Sequence, residues 1–383
     1  MNAPLRIALI GAGIMGRQHY QHLRNVPQAQ LCAVADPGPQ AEAFAAECGV
    51  PCFADHRQML EQVRPEAVIV ANPNNLHVAT ALDCVEAGVP VLLEKPVGVN
   101  LDEVRALVEA SRRRGVPVLV GHHRRHNPLI AKAHQVINEG KLGRLINVTA
   151  LWQLQKPDSY FETPWRREPG AGFLLTNLIH DLDLLRYLCG EVVQVQAFTR
   201  NDVRGFANED SAAVLLQFAN GALGSLTGSD AVAAPWSWEL DAGESPVYPR
   251  QDGQPCYLLA GTQGALSIPQ LKRWHYAEAG SGWHTPLLQS SESIPAGEAL
   301  TLQLQHFVRV ARGEQAPLID AADGGRTLAL IEAIGEPLNG SFGAVPGTDS
   351  EGAAKFQEMA TAAGVKRITR SLIVGRASGL SLV

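Results

Sequence analysis

The chain has 383 residues, 46% hydrophobic and 18% charged, with a formal net charge of -6, so it is long enough for two domains that each bury a core. This weakly acidic balance offers no electrostatic attraction to nucleic acid or to an anionic membrane, and no apolar stretch is long enough to span a bilayer. The cysteines Cys32, Cys48, Cys52, Cys84, Cys189 and Cys256 are scattered, three of them in apolar contexts. They read as reduced thiols of a cytoplasmic protein, and no second pair joins Cys48 and Cys52 to make a zinc site.

From the N-terminus, RIALIGAG reads as a buried strand and turn. The apolar run IALIGAGIMG is broken by glycines and leads into a motif, unlike a secretion signal. GRQHYQHLRNV follows as a helix, QLCAVADP as a strand and PQAEAFAAECG as a helix. AVIVANP, a helix from His77 to Ala87, VPVLLEKP, a helix through EVRALVEASRRRG, and VPVLVGHH continue the alternation. Strands alternating with helices predict an α/β Rossmann-type domain, a doubly wound parallel sheet covered on both faces. Residues 1–125 are assigned to it.

From about residue 145 the segments lengthen and alternate: INVTALWQL, VVQVQAFTR, SAAVLLQFANGALGSLTGS, CYLLAGTQGALSI and LKRWHYAE. They predict an α+β domain with a large, open-faced, mostly antiparallel sheet over residues 126–337. Helices are expected at NLIHDLDLLRYLCG, ALTLQLQHFVRVARG and GGRTLALIEAIG. Residues 338–383 form a Gly- and Ser-rich tail with an amphipathic helix expected around AAKFQEMATAAG.

Gly11-Ala12-Gly13-Ile14-Met15-Gly16 follows the first strand and opens a helix, and Asp36 ends the second strand 20 residues beyond Gly16. In that context the glycines permit a tight turn, close approach of a pyrophosphate and close helix packing, while the helix N-terminus faces the phosphates. Asp36 suits the ribose hydroxyls and repels a 2'-phosphate, and Pro37 and Gly38 bring no arginine to bind one. NAD is therefore expected over NADP.

The glycine motif, ANPNNLHVATALDCVEAGVPVLLEKP, VGHHRRHNP and GAGFLLTNLIHDLDLLRYLCG together resemble the Gfo/Idh/MocA oxidoreductases. The resemblance implies a Rossmann domain joined to an open-sheet domain, with substrate between the sheet and the nicotinamide. It adds Asn72, Pro73, His77, Glu94 and Lys95 to the cofactor contacts. It also implies that Lys95 meets the substrate hydroxyl and that His180 acts as acid/base. Such a pair suits alcohol oxidation, where a base takes the hydroxyl proton as hydride leaves. The plainer alternatives are a strand-end ion pair of Lys95 with Glu94 and a merely packed His180.

Many members carry an aspartate four residues before the histidine, where this chain has Thr176 followed by Asn177. Those two residues are expected to position substrate hydroxyls, with His123 and Arg124 also in contact. Asp181 and Asp183 read as helix-start caps rather than metal ligands, and His122, His123 and His126 as no ligand cluster. No metal is expected.

Arg166 and Arg167 in FETPWRREPGAG either pair with Glu162 and Glu168 or, with Arg124, offer a fork for a substrate carboxylate. The stretch KPDSYFETPWRR and the missing aspartate are also similar to dehydrogenases of chlorobenzoate-type cis-dihydrodiol carboxylates. That likeness implies NAD-dependent oxidation of a carboxylated cis-dihydrodiol to a catechol in aromatic breakdown. The alternative is a sugar, inositol or polyol substrate in the same fold. A non-enzymatic nucleotide sensor is opposed by the intact Lys95 and His180. A homodimer or homotetramer through the open sheet face is expected by resemblance, with Trp236 and Trp238 as anchors; Trp165 is assigned to core, interface or ring packing.

Overall fold

The computed structural model describes residues 3–294 and 296–335. The expected tail over 338–383 lies outside the described residues. In the first part, strands β1 (Leu5–Ile10), β2 (Ala29–Ala35), β3 (Cys52–Phe53), β4 (Ala67–Val70), β5 (Val91–Leu93) and β6 (Val118–Val120) form one sheet in the order β3-β2-β1-β4-β5-β6. Every pairing is parallel. Helices α1 (Ile14–Leu23), α2 (Ala41–Cys48), α3 (His56–Val63), α4 (His77–Glu86) and α5 (Leu101–Arg114) connect the strands. Val68, Ile69, Val91, Leu92, Leu93, Val118, Leu119 and Val120 are all buried, as expected where helices cover both faces of a parallel sheet.

The sequence reading did not anticipate β3 and α3. Helix α3 has eight residues and buries only Met59 and Leu60, too short a stripe to stand out by periodicity; its start is marked by Asp55, whose side chain accepts from the Arg57 amide.

Helix α6 (Pro128–Asn138) leads into the second sheet, which comprises β7 (Leu145–Gln153), β8 (Val192–Arg200), β9 (Ser211–Phe218), β10 (Leu223–Ser229), β11 (Tyr257–Gly261), β12 (Ala265–Ile268), β13 (Lys272–His275) and β14 (Leu288–Ser291). The order is β14-β13-β12-β11-β7-β10-β9-β8. All its pairings are antiparallel except β7 with β10. Strand β9 alternates buried Ala212, Val214, Leu216 and Phe218 with more exposed neighbours. Helix α7 (Ile179–Cys189) packs on the buried face, while Leu215, Leu223, Leu258 and Phe198 are exposed on the other.

Helices α8 (Trp238–Asp241), α9 (Ala299–Ala311) and α10 (Ala321–Gly335) complete the described chain. Leu304, Phe307 and Val308 of α9 join the core of the first sheet, and Leu330, Ile331 and Ile334 of α10 join that of the second. The chain thus returns to the Rossmann core after building the second sheet. Among the described residues no helix is long and apolar enough to cross a membrane.

Candidate active site

The turn after β1 is held by contact. Gly11 has φ +99°, and a Cβ there would lie 2.4 Å from the Ala71 carbonyl oxygen; one on Gly16 would lie 1.9 Å from that of Gly11. A Cβ on Gly13 meets nothing within 4 Å, and Ile14 beside it is 74% exposed, with Met15 half-buried. The open side of the loop and the start of α1 therefore fit a dinucleotide pyrophosphate. At the end of β2, the Asp36 carboxylate accepts from the Ala12 amide at 2.7 Å and the Gly38 amide at 2.6 Å. Those bonds fix it beside the glycine turn while its remaining lone pairs suit ribose hydroxyls.

Two of the expected cofactor contacts, His77 and Glu94, are buried and hydrogen-bonded within the protein. His77 is buried, with Nδ1 2.6 Å from the Pro96 carbonyl and Nε2 3.0 Å from that of Asn72. Burial lowers its pKa, so a neutral ring donates to one carbonyl at a time, tying the Asn72-Pro73 turn to Glu94-Lys95-Pro96. Glu94 is also buried, 2.7 Å from His19 Nε2 and accepting from the Lys95 amide. Burial alone would raise its carboxyl, but the hydrogen bond and charge of His19, with Lys95 and His123, hold it at about 2.

The Lys95-Pro96 bond is cis. Lys95 leaves the sheet and donates from Nζ to the Thr176 carbonyl at 3.0 Å. The Gly-rich segment enters its helix through a π turn, Leu174–Leu178, before α7, where the sequence had suggested one uninterrupted helix. The Thr176 hydroxyl lies 2.8 Å from the Gly172 carbonyl and 3.0 Å from Asn177 Oδ1. His180 stands one turn further on, 7% exposed, with Nδ1 buried and lacking a hydrogen-bond partner. Burial lowers the Lys95 pKa, opposed by Glu94 and assisted by Arg124. Burial also lowers His180 well below its ordinary value, and Lys95, Arg124, His123 and His122 push it further. Lys95 and a His180 disfavoured as a cation therefore meet the same helical turn.

His123 packs against His180 with ring centroids 5.1 Å apart. Arg124, expected at the substrate, is 4% exposed and bound inside: Nη1 lies 3.3 Å from Asp181 Oδ2 and Nη2 2.8 Å from Glu239 Oε1. Arg125 forks onto Asp183 at 2.7 and 2.8 Å. Asp181 and Asp183 are thus buried ion-pair partners and not helix caps, because α7 begins beyond the π turn with its polar residues facing these arginines. Tyr257 donates a short hydrogen bond to Asp181. Burial raises the Asp181 carboxyl above its ordinary range, against the pull of Arg124.

Arg166 donates to the Tyr160 carbonyl and stacks over the Tyr160 ring at 4.1 Å; Arg167 donates to the Phe161 carbonyl. Trp238, an expected interface anchor, is buried at 1% exposure and donates to Glu244, whereas Trp236 and Trp165 keep 38% and 55% exposure. No group of three or more potential metal ligands is assembled among the described residues.

Four polar residues near the site escaped the sequence reading: Lys156, Glu239, Glu244 and Tyr257. Lys156 Nζ lies 3.4 Å from Asp230 Oδ2 and over the Trp152 and Tyr160 rings. Its signal was available, since Lys156-Pro157 also follows an apolar strand. Glu239 lies in the four-residue helix α8 and Glu244 just after it, a stretch too short to show a periodic pattern.

A family model described as the oxidoreductase family, NAD-binding Rossmann fold, matches residues 5–122. The GFO/IDH/MocA C-terminal domain model matches residues 130–267. The chain is 27% identical to the rhizopine catabolism protein MocA of Rhizobium meliloti over 87% of this chain and 95% of that protein. It is also 27% identical to scyllo-inositol 2-dehydrogenase (NAD(+)) of Bacillus subtilis, over 84% and 91% respectively. The WlbA dehydrogenase of Bordetella pertussis, solved with NADH and UDP-GlcNAcA, shares the fold at a TM-score of 0.70 and 24% identity, over 86% of this chain and 95% of that one. With both domain models matched in order over the two sheets, the chain belongs to the Gfo/Idh/MocA family of oxidoreductases and carries its NAD-binding Rossmann domain.

Proposed function

We propose that the protein is an NAD-dependent dehydrogenase that oxidises a secondary alcohol of a polyol or sugar-like substrate. The carrying observation is the meeting of Lys95 Nζ with the Thr176 carbonyl, one helical turn before His180. NAD supplies the hydride acceptor. Lys95 holds the substrate oxygen as its charge grows, and His180, kept neutral by burial and neighbouring cations, takes the hydroxyl proton. Thr176 and Asn177 line the same turn and orient neighbouring hydroxyls. Inositol dehydrogenation by relatives supports a polyol over the carboxylated cis-dihydrodiol. The structural argument for a carboxylate also weakens, because Arg124 is spent on Asp181 and Glu239, and Arg166 and Arg167 on backbone carbonyls.

In this reading residues 1–125 form the nucleotide unit and 126–337 the substrate and assembly unit, with α9 packed back on the first. The exposed Phe198, Leu215, Leu223 and Leu258 support a homodimer or homotetramer through the open sheet face in a cytoplasmic enzyme. Nicotinamide reduction by the purified protein, with NAD or NADP, against myo-inositol, scyllo-inositol, glucose and a cis-dihydrodiol of benzoate tests the assignment. Turnover of a polyol with NAD is expected. Turnover of the dihydrodiol alone would overturn the substrate class and leave the fold and cofactor standing.

A further inference from the structure

The proton taken by His180 needs a destination. His180 is enclosed, and the cations around it disfavour a second charge. One neighbour differs from the rest. His123 lies against the His180 ring at 5.1 Å and 70° between planes, with its side chain 19% exposed. On the other side of His123, Glu244 Oε2 stands 3.6 Å from Nε2.

Glu244 is itself rigidly held. Asn127 Nδ2 donates to Oε1 at 2.8 Å, and Trp238 Nε1 donates to Oε2 at 2.6 Å. Burial would raise this carboxyl, yet His123, Arg124 and Asn127 bring it to about 2, so it remains an anion at every working pH. Glu244 and Asn127 also line an open cavity of about 540 Å³, together with Asp241, Gln270 and Glu298. None of the glycine-turn residues, Lys95 or His180 lines it. The row therefore runs from His180 through His123 to a carboxylate at the wall of a second opening.

We propose that His123 is the onward proton acceptor of the dehydrogenation, and that Glu244 is the positioning residue that stabilises the imidazolium formed there. This rests on the preceding reading of His180. In the step, the substrate C–H leaves as hydride to NAD and its O–H proton passes to His180. That proton moves to a ring nitrogen of His123, restoring neutral His180, and then to solvent at the exposed edge of the His123 ring. One hydride and one proton leave the alcohol, which becomes a carbonyl. The charged and titratable groups around His123 are Glu244 from the loop after α8, His180 from α7, Glu94 from the end of β5, and Arg124 and His126 from its own turn. A fixed anion at Glu244 is the local feature that favours the proton on His123 over His180.

The test compares the wild type with His123→Ala, Glu244→Gln and Glu244→Asp. His123→Ala is expected to lower kcat about tenfold or more at unchanged KM for NAD, and added imidazole should restore it in a concentration-dependent way. Glu244→Gln should move the acid limb of the kcat profile to lower pH, and Glu244→Asp should return it toward wild type. Histidine-resolved NMR titration of the enzyme without substrate reads the same pair: the His123 resonance should titrate at lower pH in Glu244→Gln. A His123→Ala rate indifferent to imidazole, or a His123 titration indifferent to Glu244→Gln, would overturn the relay. A wild type that oxidises no alcohol defeats the dehydrogenase reading instead, and the titration still decides the pair.

Discussion

Lys95 Nζ and the backbone carbonyl of Thr176 meet at 3.0 Å although they lie 81 residues apart. One belongs to the end of a parallel strand and the other to a π turn of the second domain, so this bond joins the two halves of the molecule at the cleft. A lysine held by a carbonyl keeps its position without being neutralised by a carboxylate, which leaves its charge for a substrate oxygen.

Lys95→Ala should lower kcat by about 100-fold to 1,000-fold, the usual range for removing a group that stabilises a developing oxyanion. NAD affinity should hold, because the glycine turn and Asp36 are untouched. Steady-state kinetics beside calorimetric NAD titration checks both; wild-type turnover in the variant would remove Lys95 from the chemistry.

Asp36 accepts from the Ala12 and Gly38 amides and so performs two tasks. Asp36→Ala removes the repulsion toward a 2'-phosphate and also loosens the turn. The ratio of NADP to NAD affinity should rise about tenfold while NAD affinity itself falls. Titration with both nucleotides measures this, and an unchanged ratio would show that specificity lies elsewhere.

His19 and Glu94 form a fully enclosed pair at 2.7 Å. His19→Ala leaves a buried carboxylate without its partner and should cost about 3 to 5 kcal/mol in denaturant unfolding. Glu94 sits near 2 in the folded chain against an ordinary value of 4.5. Its contribution is therefore complete above about pH 4.5 and lost as pH falls toward 2, so the variant should lose part of the wild type's acid-side dependence.

Asp241 has the opposite sign. Its carboxyl is 2% exposed, and burial raises it from 3.8 to about 7, with Glu239 adding to the effect and the Ser237 backbone opposing it. Between about pH 4 and 7 the folded state keeps a proton that the unfolded chain has released, so stability declines as pH rises through that window. Asp241→Asn should raise stability at pH 8 by roughly 1 to 3 kcal/mol and flatten this decline. Melting curves from pH 5 to pH 8 give the comparison; a parallel pair of curves would contradict it.

Much of the architecture and cofactor choice was legible along the chain. The βα alternation, the spacing from Gly11 to Gly16 and the placement of Asp36 are local features, because a turn, a helix start and a strand end are made by neighbouring residues. The pattern of β8 to β10 was legible for the same reason: period-two burial repeats within each strand. Ion-pair partners obey no such local rule. Arg124 finds Asp181 57 residues away and Glu239 115 residues away, while Asn127 finds Glu244 117 residues away. Read in isolation, Arg124 resembled a substrate fork and Trp238 an interface anchor. Their surroundings were created only when the second sheet brought β7, α7 and the segment after β10 together, and burial then made internal charge pairing more favourable than exposure to a ligand. The sequence by itself determined the dinucleotide fold and its glycine turn, which neighbouring residues make, while the tertiary structure alone decided which charges are consumed in internal pairs.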